Sequence, residues 1–429
     1  MPTVFYTCTL ILVLSLLACF GIYWLLRRQP LPVARLSRQE LLIAFGYKLL
    51  FGCGYGYIFL RYFGGDDTWM LNNSSLFEQD RLLQDPWLFL DDLKPWLAFQ
   101  RNPTFISGLN NLLGDLEYQT ISKSLAIFNF ISGGNYYINI VFFSFITFWG
   151  HYWLFSLLVK LYPARRRWLF GLIFFFPPVV FWLSGIRGDG LLFFFFALTL
   201  LQFHKWLQDG RKTALAGVLL GLFGVMVYRS QVAMVLFPAL AAWAWTVRGR
   251  QKAWLCFGIT WLLSLLLFFA SSTLPGKLNL PASVAEKQHD YQVLNGNTRY
   301  ALEPLEPSVS SYVQVFPQAV LNSFFRPFPW EARGPLQVLA ALDGLLFWLL
   351  AALLVWQWWK SGRQLSTDPL LWTLFCFGIT LYIFIGYTVP FPGAIVRYKI
   401  VPELGFYTCW MVLLRPFSAR AGNTVGRTN

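Results

Sequence analysis

The sequence predicts an all-α, polytopic membrane protein, and three observations lead to this prediction. Hydrophobic residues make up 56% of the 429-residue chain and charged residues only 13%. Apolar segments recur with a length of about 18–23 residues, which a helix needs to cross roughly 30 Å of hydrocarbon. Forty-three Phe and twenty Trp match the interfacial aromatic belts of helical membrane proteins. The alternating segments of about ten residues that build a membrane barrel are missing, which excludes that class.

The basic residues predict the orientation of the chain. The formal net charge is +14, and most of the cations lie in short loops between apolar segments. Cytoplasmic loops carry this excess of Lys and Arg, so the charge does not indicate a nucleic-acid partner. Residues 27–38, 165–167 and 415–427 are the clearest basic segments. They place the N-terminus outside and the C-terminus in the cytoplasm, with residues 1–429 forming one transmembrane domain.

About eleven membrane spans fit the apolar pattern. Small residues at 52–57 (GCGYGY) favour a close helix contact in the second span. Pro177 and Pro178 should kink or break the fourth span. The predicted spans cover approximately residues 4–26, 41–63, 136–159, 168–186, 191–206, 214–228, 232–247, 253–271, 336–359, 370–389 and 401–414.

Two long segments are predicted to lie outside the cytoplasm. The first, residues 64–134, mixes carboxylates with apolar side chains, which predicts short amphipathic helices lying on the membrane surface. The second, residues 273–335, is polar and rich in proline. If the membrane is the bacterial inner membrane that the family resemblance given below implies, these segments are the first and second periplasmic loops.

The strongest catalytic candidate is the acidic pair in residues 61–69 (RYFGGDDTW), which directly follows the second span. One of Asp66 and Asp67 can deprotonate an acceptor hydroxyl while the other positions the substrate or a metal ion. If the protein uses a divalent cation, these two carboxylates are its predicted ligands. The competing interpretation is structural, with Asp67 as the N-cap of a surface helix.

Cations on the predicted outer face indicate a binding site. Positive-inside statistics leave few cations there, and charges next to hydrocarbon usually face a protein interior or a water-filled cavity. One guanidinium group can bind two phosphate oxygens at once, so the arginines predict a phosphate or diphosphate ligand. The candidate substrate-binding residues are Arg187, Asp189, Arg229, Arg326, Trp330, Glu331, Arg333, Arg397 and Lys399.

Each of these candidates has a structural alternative. Arg187 and Asp189 can form a local ion pair, and Arg229 can extend to lipid headgroups. The segment around Trp330 can anchor the chain at the interface instead of stacking on a sugar. Glu403 follows Lys399 by four residues and can neutralise its charge.

The acidic motif in the first large outside loop of a multi-span chain resembles the GT-C class of integral-membrane glycosyltransferases. That resemblance implies a polyprenyl-phosphate-linked sugar donor, transfer on the non-cytoplasmic face, and the acidic-motif role for Asp66 and Asp67. The phrases PPVVFWLSGIRGDG, FFRPFPWEA and VRYKIVPE also resemble bacterial multi-span proteins of surface-polysaccharide assembly. GT-C chains usually carry the acidic loop after the first span, whereas here it follows the second.

Three functions remain open at this point. The first is a glycosyltransferase of the cell envelope that uses a lipid-linked sugar. The second is an O-antigen polymerase or ligase acting on undecaprenyl-diphosphate glycans, which would depend on the arginines more than on the acids. The third is a transporter or flippase for a lipid or sugar, which predicts polar residues along mid-span faces. The expected partners are a polyprenyl-phosphate-linked sugar and membrane lipids.

Overall fold

The computed structural model describes residues 2–27, 34–91, 93, 95–100, 105–294, 298–360 and 366–414. These residues form eighteen α-helices and contain no strand, which confirms the all-α prediction. Some of the charged residues in the segments used to predict the topology lie outside the described residues: Arg28, Asp92, Lys94, Arg101, Arg363, Arg415, Arg420 and Arg427. The helices are α1 Pro2–Arg27, α2 Arg38–Phe63, α3 Asp66–Gln84, α4 Pro86–Asp91, α5 Pro95–Gln100, α6 Phe105–Ser132, α7 Tyr136–Leu161, α8 Arg166–Phe175, α9 Pro177–Trp182, α10 Gly188–Asp209, α11 Lys212–Tyr228, α12 Ser230–Gly249, α13 Ala253–Ala270, α14 Leu280–Val293, α15 Val309–Val320, α16 Pro335–Lys360, α17 Pro369–Thr388 and α18 Pro392–Leu413.

Within the described part of the chain, eight helices are long and apolar enough to cross a membrane: α1, α2, α7, α10, α12, α13, α16 and α17. The other three predicted spans take different forms. The fourth is divided into α8 and α9, because Pro177 has no N–H to continue the helix. The sixth, α11, has 17 residues. The last lies in α18, which carries Arg397, Lys399 and Glu403.

Residues 64–134, the first segment predicted to lie outside, contain longer helices than the sequence predicts. Besides the six-residue α4 and α5, it contains α3 with 19 residues and α6 with 28. These two longer helices pack against each other through polar side chains. The buried Glu78 of α3 accepts a hydrogen bond from Lys123 of α6, and Asn129 donates to Ser75 at 2.9 Å. The polar face of α3 is thus directed at protein rather than at solvent.

Helix α7 lies at the centre of the bundle. It contacts α1, α2, α6, α8 and α10, and apolar residues are buried around its whole circumference, as expected of a core helix. The site described below lies at one end of this bundle. There the C-terminal ends of α2 and α11 meet the N-terminal ends of α3, α10 and α12.

Close contact between α17 and α15 requires a glycine at position 386. A Cβ atom there would lie 2.0 Å from the Ala319 carbonyl oxygen. We expect Gly386→Ala to destabilise the fold by about 1–3 kcal/mol, because the backbone of α15 has to move. The matched control is Gly258→Ala in α13, where a Cβ atom meets nothing within 4 Å and alanine is favoured by about 0.5–1 kcal/mol. Thermal unfolding in one detergent compares them; equal midpoints for Gly386→Ala and wild type would contradict the packing.

Candidate functional site

A turn of three left-handed residues presents the acidic pair. Gly64, Gly65 and Asp66 have φ angles of 68°, 102° and 48°. Glycine adopts this region without steric cost, whereas a non-glycine residue there is uncommon and is held by its surroundings. The turn ends α2 and begins α3 at Asp66. The N-cap of α3 is Gly65, which makes no side-chain capping bond, so Asp67 does not act as the N-cap.

Arg187 binds both carboxylates of the pair. Its Nη1 donates to Asp66 Oδ2 at 2.7 Å and to Tyr55 Oη at 3.2 Å, and its Nη2 donates to Asp67. The Arg187 side chain is 6% exposed, against 37% for Asp66 and 55% for Asp67. A buried guanidinium therefore holds two partly exposed carboxylates, and the ion pairs connect residues about 120 positions apart in the sequence.

Asp189 joins two further arginines. Arg229 Nη2 lies 3.6 Å from Asp189 Oδ1, and Arg397 Nε lies 3.6 Å from Asp189 Oδ2. Arg229 also donates to Glu117 Oε1 at 3.2 Å. Both guanidinium groups lie over the ring of Tyr398, at 5.1 and 4.8 Å from its centroid. These contacts bring α6, α10, α12 and α18 together, and they leave Arg187 and Asp189 paired with distant residues rather than with each other.

Electrostatics connect the two halves of this cluster. Burial raises the pKa of Asp66. The charges of Arg187 and Arg397 and the hydrogen bonds to the carboxylate lower this pKa by a larger amount, so that it lies below its usual value. Asp66 is therefore ionised at neutral pH. Burial also raises the pKa of Glu117, and the nearby Arg229 only partly offsets this effect.

A cavity opens beside the second pair of arginines. Its lining includes Asp189, Arg229, Tyr291, Arg397 and Tyr398, and its volume is about 30 Å³, enough for one or two water molecules. Arg397 Nη2 donates to Tyr398 Oη at 3.0 Å. Its buried Nε lies 3.6 Å from Asp189 Oδ2, beyond hydrogen-bond distance, and has no hydrogen-bond partner among the described residues. A buried guanidinium N–H without a hydrogen bond next to a cavity favours a ligand that can accept one, such as a phosphate oxygen.

Four of the predicted binding residues form or border a separate group. Arg326 Nε lies 3.1 Å from Glu331 Oε1, and its guanidinium group lies over the ring of Tyr300. Trp330 is 79% exposed and stacks on Phe328, and Arg333 is exposed. In the described part of the chain, the ion pair and the ring contacts of these four candidates do not reach the acidic pair.

Lys399 also lies apart from its neighbour Arg397. Its buried ammonium group lies 5.2 Å from the centroid of the Tyr382 ring. The charges of Asp343 and Lys399 both act on the buried Glu403. Two positions along a helix correspond to a rotation of about 200°, so Arg397 and Lys399 point to opposite sides of α18.

The sequence patterns do not identify four further residues of the site: Tyr55, Glu117, Tyr291 and Tyr398. Tyr55 lies in the glycine-rich run of α2, and Tyr398 lies between the two predicted cations of α18. The positions of these two tyrosines could have indicated a role in the site, since an aromatic hydroxyl next to a cation often binds that cation. Glu117 carried no such signal, because only the packing of α6 brings it to Arg229.

The acidic pair can be compared with a metal site. Among the described residues, no three His, Cys, Asp or Glu side chains are grouped to hold a metal ion. Asp66 and Asp67 are both bound to the same guanidinium group. A divalent cation bound by both carboxylates would therefore have to displace Arg187.

Comparisons with protein-family models, with curated proteins and with solved structures find no match for this chain. The fold and the site define its class: an all-helical membrane protein with a cluster of arginines and partly exposed carboxylates at one end of its bundle. This cluster contains Asp66, Asp67, Glu117, Arg187, Asp189, Arg229 and Arg397, and we call it the acid–arginine cluster.

Glu117 should give stability a specific pH dependence. Because its folded-state pKa is raised above the ordinary 4.5, the folded protein binds more protons than the unfolded chain just above that pH. Its contribution to the free energy of unfolding therefore falls as pH rises through this window. We expect Glu117→Gln to remove this pH-dependent fall in stability, which is followed through unfolding midpoints between about pH 4 and 7. The exposed control Glu306→Gln should retain it; identical profiles for wild type and Glu117→Gln would contradict the assignment.

Proposed function

We propose that this chain is a membrane glycosyltransferase of the bacterial cell envelope. It transfers a sugar from a polyprenyl-phosphate-linked donor to an acceptor, in the assembly of a surface polysaccharide or glycolipid. Eleven crossings of the inner membrane, with the N-terminus outside, put the acid–arginine cluster on the periplasmic face. The observation that carries the proposal is the acid–arginine cluster. Its acidic pair, Asp66 and Asp67, is bound by the buried Arg187, and Arg229 and Arg397 line a cavity.

The two carboxylates differ in their suitability as a base. Asp66 is more buried, and its pKa lies below its usual value, so it is a poor proton acceptor at neutral pH. Asp67 is more exposed and is better placed to meet an acceptor. We assign Asp67 as the general base and Asp66 as the residue that orients Arg187.

The proposed reaction is a substitution at the anomeric carbon of the donor sugar. The acceptor hydroxyl gives its proton to Asp67, and its oxygen forms the new glycosidic bond. The bond between the anomeric carbon and the phosphate oxygen breaks, and polyprenyl phosphate leaves with the electron pair. Arg229 and Arg397 stabilise the negative charge on this leaving group.

The present cavity is too small for a sugar phosphate, since its volume of about 30 Å³ holds only water. Tyr291 and Tyr398 line it, and their hydroxyl oxygens are 3.3 Å apart. Donor binding therefore requires these side chains to move.

A second candidate, transport of a lipid or sugar, is favoured by one observation. Lys399 and Glu403 are buried within α18, and Asp343 of α16 accepts a hydrogen bond from Tyr407 at 2.7 Å. Charged side chains inside a helical bundle frequently mark the path of an ion or a substrate. The polymerase or ligase alternative shares the arginines with the glycosyltransferase and differs in needing the acids less.

Reconstitution separates these functions. The purified protein is placed in liposomes with polyprenyl-phosphate-linked sugars, undecaprenyl-diphosphate glycans and candidate acceptors. Mass spectrometry follows the glycosylated product, the released polyprenyl phosphate and the remaining diphosphate-linked glycans. Formation of both supports the glycosyltransferase. Movement of the lipid-linked sugar between leaflets without product formation would instead support the transporter, and consumption of only diphosphate-linked glycans would support the polymerase or ligase.

A further inference from the structure

The segment that carries Arg187 is buried but not helical. Residues 183–187 connect α9 to α10, and every residue from 183 to 190 is buried. Away from water, the backbone N–H and C=O groups of such a segment need partners within the protein. The carbonyl groups at the end of α9 are a specific case, since the last carbonyls of a helix have no partner within it.

One face of α2 supplies contacts along this segment. Lys48 Nζ donates to the Leu183 carbonyl oxygen at 2.8 Å and lies 3.4 Å from Ser184 Oγ. A Cβ atom on Gly52 would lie 3.0 Å from the Ser184 carbonyl oxygen, so only glycine allows this approach. Tyr55 then contacts Arg187. The three α2 positions are separated by four and three residues, which places them on the same face of the helix.

We propose that Lys48 is a positioning residue for Arg187. Its amino group donates to the carbonyl group of Leu183, which follows α9 directly, where the last carbonyl groups of the helix have no partner within it. The segment from Leu183 then enters the site in one orientation, and the Arg187 guanidinium meets Asp66 and Asp67. The effect on ligand binding rests on the proposed function, whereas the effect on the segment itself does not.

The burial of Lys48 makes this contact necessary. Lys48 is 2% exposed, and its two hydrogen-bond acceptors are uncharged groups of the same segment. A buried amine that loses its acceptors bears a large desolvation cost. Movement of residues 183–184 away from α2 is therefore unfavourable, which restricts the segment to its observed position.

The test uses the full-length protein in lipid nanodiscs and two measurements. Hydrogen–deuterium exchange reports on residues 183–190, and binding of undecaprenyl phosphate reports on the cluster. Lys48→Met removes the donor, Lys48→Arg retains a cation, and Lys48→Gln provides a second neutral variant if the methionine variant does not fold. The matched control is Lys160→Met, since Lys160 lies on α7 and contacts the exposed end of Gln208.

In the methionine and glutamine variants we expect exchange in residues 183–190 to accelerate by roughly tenfold to a hundredfold, which corresponds to one buried carbonyl group left without its donor. Affinity for undecaprenyl phosphate should fall in parallel, while Lys48→Arg and Lys160→Met retain wild-type values.

Three results overturn the proposal. The first two are unchanged exchange in the folded neutral variants and acceleration spread evenly over all helices. The third is local acceleration with unchanged lipid affinity, because Arg229 and Arg397, which pair with Asp189 of this segment, would then not depend on Lys48. If the wild-type protein itself binds no undecaprenyl phosphate, the proposed function fails, and the exchange data alone decide whether Lys48 holds the segment.

Discussion

Replacing Asp67 by Asn should lower the rate of sugar transfer by about 10²- to 10⁴-fold, the range expected for loss of a general base. Asn keeps the size of the side chain but cannot accept the proton of the acceptor hydroxyl. Asp66→Asn should also reduce transfer, because Arg187 Nη1 would lose the carboxylate that it binds at 2.7 Å. Initial rates with a polyprenyl-phosphate-linked sugar, measured on folded variants, provide the comparison.

The matched control for these variants is Asp80→Asn. Asp80 lies on the same helix, α3, and is exposed, so the change in net charge is identical. We expect its transfer rate to equal that of the wild-type protein. Full activity in the folded Asp66→Asn and Asp67→Asn variants would remove the catalytic role of the acidic pair and favour the polymerase or ligase alternative.

Replacing Arg397 by Met should weaken binding of undecaprenyl phosphate by roughly tenfold to a hundredfold, since hydrogen bonds to charged groups are worth about 1.5–3 kcal/mol. The Nε of Arg397 has no hydrogen-bond partner among the described residues, and both Arg397 and Arg229 line the cavity. Arg229→Met should have a similar effect. Fluorescence or calorimetric titration in nanodiscs gives the dissociation constants.

Arg326→Met is the informative comparison for both variants. Arg326 was predicted from the sequence to bind the same ligand, but it pairs with Glu331 in a separate group. We expect its substitution to leave the dissociation constant unchanged. Equal weakening by Arg326→Met and Arg397→Met would mean that a general positive potential, and not the cavity, attracts the lipid.

Much of the fold could be predicted because hydrocarbon imposes a length and a composition on each crossing. The break in the fourth span followed from Pro177, whose missing N–H is a local property of the sequence. The 28-residue α6 could not be predicted in the same way. Its polar residues, such as Lys123, pair with α3, and this partner becomes visible only in the folded chain.

The same distinction applies to the site. Unusual outside cations identified Arg187, Arg229 and Arg397 as candidates, and the structure brings all three to carboxylates. It could not be predicted which carboxylate each arginine would bind, because the partners lie on different helices. Lys399 shows the same difficulty at short range, since the direction of its side chain depends on how α18 packs.

A structure of the protein with a bound polyprenyl-phosphate-linked sugar tests the proposed site most directly. We expect the lipid phosphate within about 3 Å of the guanidinium nitrogens of Arg229 and Arg397, with the sugar next to Asp67 and with Tyr291 and Tyr398 displaced. A phosphate bound instead at Arg326 and Glu331, with the present cavity still closed, would contradict the acid–arginine cluster as the site of transfer.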